Sequence, residues 1–418
     1  MRRLLERILS DHPLIRAMSY QSVLSAFGEG AFLTGSAVYF TQIVGLSAAQ
    51  VGLGMTIAGI ATFLASVPLG RAADAFGTRR TWIVGSLLEA LLFASWLAAR
   101  DFAAYVAVTT ALELAQTWMR AGRNAYRIDV FPHDARVRSL AYLRAARNVG
   151  YTLGALAGGL ALAAHNNQLV EAVPVVTAVV LLANTAWVTR LPRLDQQAHH
   201  ASGHTDALTD LVGGSALRNH GFLAATFLDG VLATHQVLLN VVIPLWLVQE
   251  TDAPRVLLAW LFGTNTVMAV VLQVAAARGV NDVPTSVRAE RRGALCFIVS
   301  CVIVLITHDT TGWVTIALVW LGHVTVTGSE LFESAGQWGI QSELSDPRQR
   351  GEYQGVANLG STLGTVWAPA AYTWLAMSWG AAGWLVVAAI IAVAAVLIGP
   401  AARAAERYLD RVPAEVTT

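Results

Sequence analysis

The sequence predicts an all-α polytopic membrane protein in which twelve transmembrane helices form two parallel repeats of six. Of its 418 residues, 55% are hydrophobic and only 13% are charged, whereas about 25% of residues are charged in soluble globular proteins. Long apolar runs recur from end to end, and at about 20 residues per crossing, about 240 residues suffice for twelve spans. Similar sequence patterns in the two halves indicate the repeat.

The apolar runs give the spans in order. In the first half they cover residues 14–44, 51–73, 82–99, 103–128, 137–164 and 170–189. In the second half they cover residues 220–249, 256–277, 293–306, 312–340, 353–377 and 381–402. The predicted organisation is an interfacial helix at 1–13, a six-helix half at 14–191, a linker at 192–219, a second half at 220–404 and a tail at 405–418.

Arginine placement predicts the orientation, because positive charge near the ends of spans is retained in the cytoplasm. The even-numbered connections and both terminal segments are rich in arginine, whereas the odd-numbered connections contain only Arg100 and Arg255. Both termini are therefore predicted to be cytoplasmic, with the protein in a plasma membrane such as the bacterial inner membrane. The net charge of +1 gives no basic excess for nucleic-acid binding.

No cofactor or metal site is predicted. Cys296 and Cys301 point to different faces of one helix. The linker histidines His199, His200 and His204 have no cysteine or carboxylate partner at a fixed spacing. The chain contains no lysine, so the phosphate-binding G-x-x-x-x-G-K-[ST] loop is absent and ATP does not drive this chain directly.

An internal repeat relates the two halves. Residues 148–154 and 358–364 are identical at five of seven positions. In the first and seventh spans, Glu29 and Asp229 are each followed by glycine at an equivalent depth. Parallel halves with a site near the midplane between them are a transporter design.

Three stretches carry a family resemblance. Gly70, Asp74, Gly77, Arg79 and Arg80 have the spacing G-x-x-x-D-x-x-G-x-R-R, which resembles motif A of the major facilitator superfamily. The chain is therefore identified as similar to that family over essentially its whole length.

The other two stretches resemble the exporters of that family. Asp129, Pro132 and Arg136 have the spacing D-x-x-P-x-x-x-R that follows the fourth span in many facilitator exporters. The fifth span resembles motif C of proton-driven drug antiporters, G-x-x-x-G-P-x-x-G-G, at Gly150, Gly154, Ala155, Gly158 and Gly159. Ala155 stands where that motif has proline, the residue that would kink the helix.

The resemblance implies roles for these motifs. Asp74 is expected to face the start of the eleventh helix, and Arg79 and Arg80 to meet an acid such as Asp129 in a cytoplasmic gate. Alternatively, these charges only fix the topology. Motif C is expected to seal the interface between the halves, or to allow close packing of helices through its small residues.

Charged groups inside the spans are the candidates for proton coupling. A carboxylate near the bilayer centre costs at least about 2.5 kcal/mol, so it needs a partner, water or a proton. Glu29 is the first candidate and Asp229 the second, while Glu113 and His323 occupy equivalent positions in the fourth and tenth spans. Glu89 lies on the third span, which is usually peripheral in this family, and is expected to be structural.

The same repeat offset places opposite charges in equivalent positions on the fourth and tenth spans. Arg120 corresponds to Glu330, and Arg123 to Glu333. These residues are predicted to pair across the halves and to close the cytoplasmic side. The alternative is that each charge is satisfied within its own half.

Together, these features predict a secondary active transporter, not an enzyme. The resemblance implies proton-coupled efflux of small amphipathic or lipophilic compounds by alternating access. It also implies a monomer, which is the usual state in that family. The alternative is a proton symporter or uniporter that imports a small metabolite, and a distant alternative is a transporter-like membrane sensor.

Overall fold

The computed structural model describes residues 10–164, 167–193 and 214–411, and every regular element within these ranges is helical. The interfacial helix predicted at 1–13 falls mainly on residues 1–9, outside the described residues. The linker histidines also lie outside them.

The first half of the described chain contains six helices. They are α1 (Pro13–Val38), α2 (Ala48–Phe76), α3 (Thr78–Ser95), α4 (Phe102–Val130), α5 (Arg136–Ala163) and α6 (Asn167–Val188). Each connection is short, and Gly77, with φ 92°, makes the turn between α2 and α3. A positive φ is accessible to glycine at no steric cost.

The second half continues the helical pattern. Its helices are α7 (His220–Glu250), α8 (Leu257–Ala276), α9 (Val283–Ile306) and α10 (Trp313–Glu343). The stretch Arg350–Leu409 is interrupted at Gly380, with φ 52° and ψ −125°, which divides it into α11 (350–379) and α12 (381–409). The described residues thus contain the twelve helices that the apolar runs predict.

The helix α9 begins ten residues earlier than predicted, at Val283 and not at residue 293. Asp282 caps it, since its carboxylate accepts a hydrogen bond from the backbone N–H of Thr285 at 2.7 Å. Hydrogen bonds from Thr285 also hold the pKa of Asp282 below its usual range. Arg291 lies inside the helix and donates to the carbonyl of Ala395. The arginines that suggested a connection are therefore helical.

Seven described helical stretches are long and apolar enough to cross a membrane by length and composition. They cover α2, α3, α6, α7, α8, α10 and the continuous stretch that holds α11 and α12. The remaining helices, α1, α4, α5 and α9, carry charged side chains that interrupt their apolar runs. These are also the helices that carry most of the buried charges of the candidate site.

The described residues group into two compact units. Unit 1 comprises Met1–Pro132, Tyr142–Val212 and Pro347–Gly355, and unit 2 comprises His133–Ala141, Gly213–Asp346 and Val356–Thr418, each within the described ranges. Unit 1 therefore includes the first residues of α11, and unit 2 includes the start of α5. The core of unit 1 contains edge-to-face aromatic contacts of Phe40 with Trp96 and Tyr105.

Equivalent helices pack closely in each unit. In unit 1 a Cβ at Gly154 on α5 would collide with the carbonyl oxygen of Phe27 on α1. In unit 2 a Cβ at Gly364 on α11 would collide with the carbonyl oxygen of Gly230 on α7. Glycine is required at both positions because the backbones touch. A π-helical turn also recurs, at Tyr39–Ile43 after α1 and at Leu238–Val242 within α7.

Candidate functional site

Glu29 is the centre of a hydrogen-bonded group in unit 1. Its Oε2 accepts from Arg147 Nη2 at 3.1 Å and from the Tyr151 hydroxyl at 2.5 Å. Its Oε1 accepts from the Ser25 hydroxyl at 3.0 Å. Arg147 also donates to the Tyr151 oxygen at 2.6 Å, so the three side chains form a closed triangle between α1 and α5.

This group is not sealed from its surroundings. The side chain of Glu29 is 18% exposed and that of Arg147 is 39% exposed. Charged groups within membrane spans face water-filled space or a partner, because contact with hydrocarbon is costly. Glu29 has such a partner in Arg147, and both side chains remain partly exposed.

Glu89 on α3 lies in the same charged region, and its structural role stays a prediction. It is 1% exposed and accepts a hydrogen bond from Gln116 on α4 at 2.8 Å. Its charge interacts with those of Glu29 and Arg123. Four helices, α1, α3, α4 and α5, thus contribute ionisable side chains to one region of unit 1.

In unit 2, Asp229 lies in a cluster of acids. Asp229, Glu290 and Glu333 are 3%, 0% and 4% exposed, and the charge of Glu290 interacts with those of the other two. Gln337 on α10 donates to Asp229 at 2.9 Å. No described group of three or more His, Cys, Asp or Glu residues is arranged to hold a metal ion.

Arg120 on the fourth span and Glu330 on the tenth each have a partner within their own unit. Arg120 pairs with Glu113 at 3.5 Å, and Glu330 accepts from Asn265 at 2.9 Å. His323 is 1% exposed and lies near the charge of Glu330. The predicted pairs of Arg120 with Glu330 and of Arg123 with Glu333 stay predictions.

Asp74 caps the first turn of α11 within unit 1. Its two carboxylate oxygens accept from the backbone N–H groups of Gly351 at 2.6 Å and Glu352 at 2.9 Å. A carboxylate is stabilised there by the free N–H groups and the positive end of the helix dipole. Arg71 adds an ion pair to Glu352 at 3.0 Å. We call these four residues the Asp74 network.

The arginines of motif A do not contact Asp129 in this structure. Arg79 donates to the carbonyls of Thr189 and Leu191, and Arg80 is exposed. Asp129 instead forms an ion pair with Arg350, at the start of α11. Arg79 lies at the start of α3, where carbonyl groups at the end of α6 are nearer acceptors.

Glu343 gives unit 2 a related set of contacts. Its carboxylate contacts His133 Nε2 at 2.9 Å and Arg136 Nη1 at 3.6 Å. The D-x-x-P-x-x-x-R stretch thus places its aspartate in an ion pair of unit 1 and its arginine in an ion pair of unit 2.

The glycines of motif C pack α5 against α1 inside unit 1. Gly150, Gly154 and Gly158 lie against the carbonyls of Val23, Phe27 and Ala31. Gly159 has open space beside it, and Ala155 is exposed on a helix that continues through it. These contacts give the motif a packing role within its own half.

The residues of the site that the sequence did not reveal include Arg147, Tyr151, Glu290 and Gln337. Arg147 and Tyr151 are four residues apart, so they share one face of a helix; Arg147 immediately precedes the repeated stretch at 148–154, and Tyr151 lies within it. That spacing was a usable signal. Glu290 gave no such signal, because it lies within the arginine-rich stretch assigned to a connection.

Twelve described helices, most of them in stretches long and apolar enough to cross a membrane, with charged side chains buried among them, are typical of a polytopic membrane protein. The Major Facilitator Superfamily family model matches residues 19–332. The chain belongs to the Major Facilitator Superfamily, a family of transporters. No curated protein sequence matches the chain significantly.

Solved structures show the same fold. The Escherichia coli fucose:proton symporter FucP is 14% identical with a TM-score of 0.69, covering 93% of this chain and 97% of its own. A bacterial homologue of the iron transporter ferroportin, outward-facing, is 13% identical with a TM-score of 0.67, covering 96% and 100%. The human organic anion transporter MFSD10 is 14% identical with a TM-score of 0.65, covering 92% and 98%.

Proposed function

We propose that the protein is a secondary active transporter that couples proton movement to the efflux of a small amphipathic or lipophilic compound across the plasma membrane. The observation that carries the proposal is the Glu29 group. Its carboxylate lies within a span, is partly exposed and is bound by Arg147 and Tyr151. Such a group can exchange a proton with water and change its local contacts when it does.

Protonation of Glu29 would neutralise the ion pair with Arg147. Arg147 would then lose its carboxylate partner, and the Tyr151 hydroxyl would lose a strong acceptor. Each of these changes alters how α5 is held against α1. Asp229, in the equivalent position of the second repeat, is the second proton-binding candidate, because Glu290 and Glu333 lie beside it and like charges in a buried cluster favour protonation.

The Asp74 network and the contacts of Glu343 serve as the cytoplasmic gate in this proposal. They lie at helix ends that the arginine distribution assigns to the cytoplasm. Alternating access requires such contacts to form when that side closes and to break when it opens. The pairs of Arg120 with Glu330 and of Arg123 with Glu333 are proposed to add to this gate.

Motif C supports export by antiport, since the resemblance at Gly150 to Gly159 is to drug antiporters. A second candidate, proton symport, is favoured by a different observation. The arginines around Glu29 make its surroundings positive, so a negatively charged solute and a proton can occupy this region together. Plasma-membrane location and a monomeric state are part of the proposal.

The test is a proton-flux measurement in inverted membrane vesicles with a pre-formed pH gradient. Lipophilic cations, neutral amphiphiles and organic acids are added in turn. Proton release that depends on the protein, and that is lost in Glu29→Gln but kept in the exposed control Glu171→Gln, supports antiport. Proton movement in the same direction as the solute supports symport. The absence of any protein-dependent proton movement, with the protein inserted, contradicts proton coupling.

A further inference from the structure

Guanidinium groups outnumber their carboxylate partners where α4 and α5 approach Glu29. Among the described residues, Arg147 is paired with Glu29 at 3.1 Å and Arg120 with Glu113 at 3.5 Å. These two ion pairs use both of the partly exposed carboxylates of the region. The positive charges of the other arginines on α4 must therefore be compensated by other groups.

Arg123 is the most isolated of these arginines. It is 6% exposed, and within the described ranges its side chain makes no hydrogen bond or ion pair, its Nε lying buried without an acceptor. Its charge interacts with the positive charges of Arg147 and Arg120 as well as with the negative charges of Glu29 and Glu89. A buried guanidinium without an acceptor is costly.

Arg127 lies one helical turn further along α4, and its positive charge is only weakly compensated by neighbouring groups. Its Nη2 lies 3.4 Å from the Ser22 hydroxyl, and its guanidinium stacks 5.5 Å from the Trp82 ring. Its Nε is also buried without an acceptor in the described part of the chain. Glu89 is the remaining carboxylate, and its hydrogen bond comes from Gln116. Two guanidinium groups thus share at most one carboxylate.

We propose that Arg123, supported by Arg127, binds the anionic group of the transported compound, and that this compound is an organic anion with a carboxylate or sulfonate group on an apolar body. A guanidinium presents two parallel N–H donors that match two oxygens of such a group. The anion would supply the missing acceptors and the missing negative charge. This proposal rests on proton symport, the second candidate under the proposed function, and names its substrate class.

The charges around Arg123 also determine how binding of the anion depends on binding of a proton. The groups that interact with Glu29 are the hydroxyls of Ser25 and Tyr151, the guanidinium groups of Arg123, Arg127 and Arg147, and the carboxylate of Glu89. An anion bound at Arg123 repels the two carboxylates, so a proton is taken up with it. Reciprocity then requires the anion to bind more tightly as the pH falls, which is the relation that symport needs.

The experiment is calorimetric binding to the purified full-length protein at constant chloride. The probes are benzoate and 4-toluenesulfonate, with benzamide as the neutral isostere and benzylamine as the cation. We expect both anions to bind at least about tenfold more tightly than benzamide, a difference of about 1.4 kcal/mol. Arg123→Gln should remove this preference, Arg123→Lys should retain part of it, and the exposed control Arg16→Gln should leave it unchanged.

Equal binding of benzoate and benzamide, or no anion binding, would overturn the proposal, as would an undiminished preference in Arg123→Gln. If Arg123→Gln is not monodisperse, Arg123→Lys decides, because it keeps the charge and loses the planar fork. Anion binding without proton-coupled flux contradicts the proposed coupling and leaves the site standing. Proton-coupled flux of cations alone, without anion binding, overturns the anion site and leaves the proposed proton coupling standing.

Discussion

Glu29 and Arg147 form an ion pair of 3.1 Å between α1 and α5, and the Tyr151 hydroxyl contacts both side chains. Each of the three side chains determines which hydrogen bonds the other two can form. The hydroxyl has one proton, which it donates to Glu29 while it accepts from Arg147. A proton arriving at Glu29 therefore changes all three interactions at once.

We expect Glu29→Gln to abolish proton-coupled flux while substrate exchange at equal pH persists, because glutamine keeps the size and an acceptor but cannot carry the proton. Flux is measured in vesicles with and without a pH gradient. Glu171→Gln on α6, which is exposed, is the matched control. Normal gradient-driven flux in Glu29→Gln would remove Glu29 from the coupling.

The cap of α11 gives a second prediction. Asp74→Ala should lower the free energy of unfolding by about 1 kcal/mol, the usual cost of losing a helix cap, and should also reduce transport. Asp101 caps α4 through the N–H of Ala104 at 2.8 Å and lies outside the proposed gate. Asp101→Ala should cost similar stability but leave transport per folded molecule unchanged. Equal transport in both variants would contradict a gating role for Asp74.

Two glycines of motif C should respond differently to the same substitution. Gly154→Ala places a methyl group against the carbonyl of Phe27, so we expect a loss of about 1–3 kcal/mol, as for overpacked cores. Gly159→Ala meets open space and should be neutral or slightly stabilising, because alanine favours helix. Thermal denaturation in detergent checks both variants. Equal melting temperatures would show that α1 and α5 can separate without cost.

The acid cluster of unit 2 predicts that the protein tolerates the loss of a buried charge at Glu290. Glu290 is 0% exposed and lies beside Asp229 and Glu333, so Glu290→Gln removes like-charge repulsion while it preserves volume. We expect the melting temperature to stay the same or rise. Glu290→Ala should lower it, since a cavity costs about 2–5 kcal/mol in comparable core truncations. A large loss in Glu290→Gln would indicate that the charge of Glu290 is itself stabilising.

The helices were largely predictable because membrane spans must be long and apolar. The errors in the prediction are local. The start of α9 was placed too late because Arg288, Arg291 and Arg292 look like a connection, whereas the cap formed by Asp282 begins the helix before them. Hydropathy cannot detect a cap. The family resemblance of motif A led to Asp74 and to α11.

The partners within the candidate site were less predictable. Glu29 stands out by its depth, but its pairing with Arg147 depends on the rotation of α5 against α1, which is set by backbone contact at Gly150 and Gly154. Glu89 was expected to be peripheral because of its helix number. Its hydrogen bond to Gln116 depends on the packing of α3 against α4, which no short motif encodes.

The backbones of α11 and α7 touch within unit 2. Gly360 and Gly364 lie against Thr226 and Gly230, next to Asp229. The two glycines are four residues apart, so they share one face of the helix and lie about 6 Å apart along its axis. A rotation of α11 about its own axis would replace them with larger side chains that have no room against α7. The surroundings of Asp229 are therefore fixed by side chains that are missing as much as by those that are present.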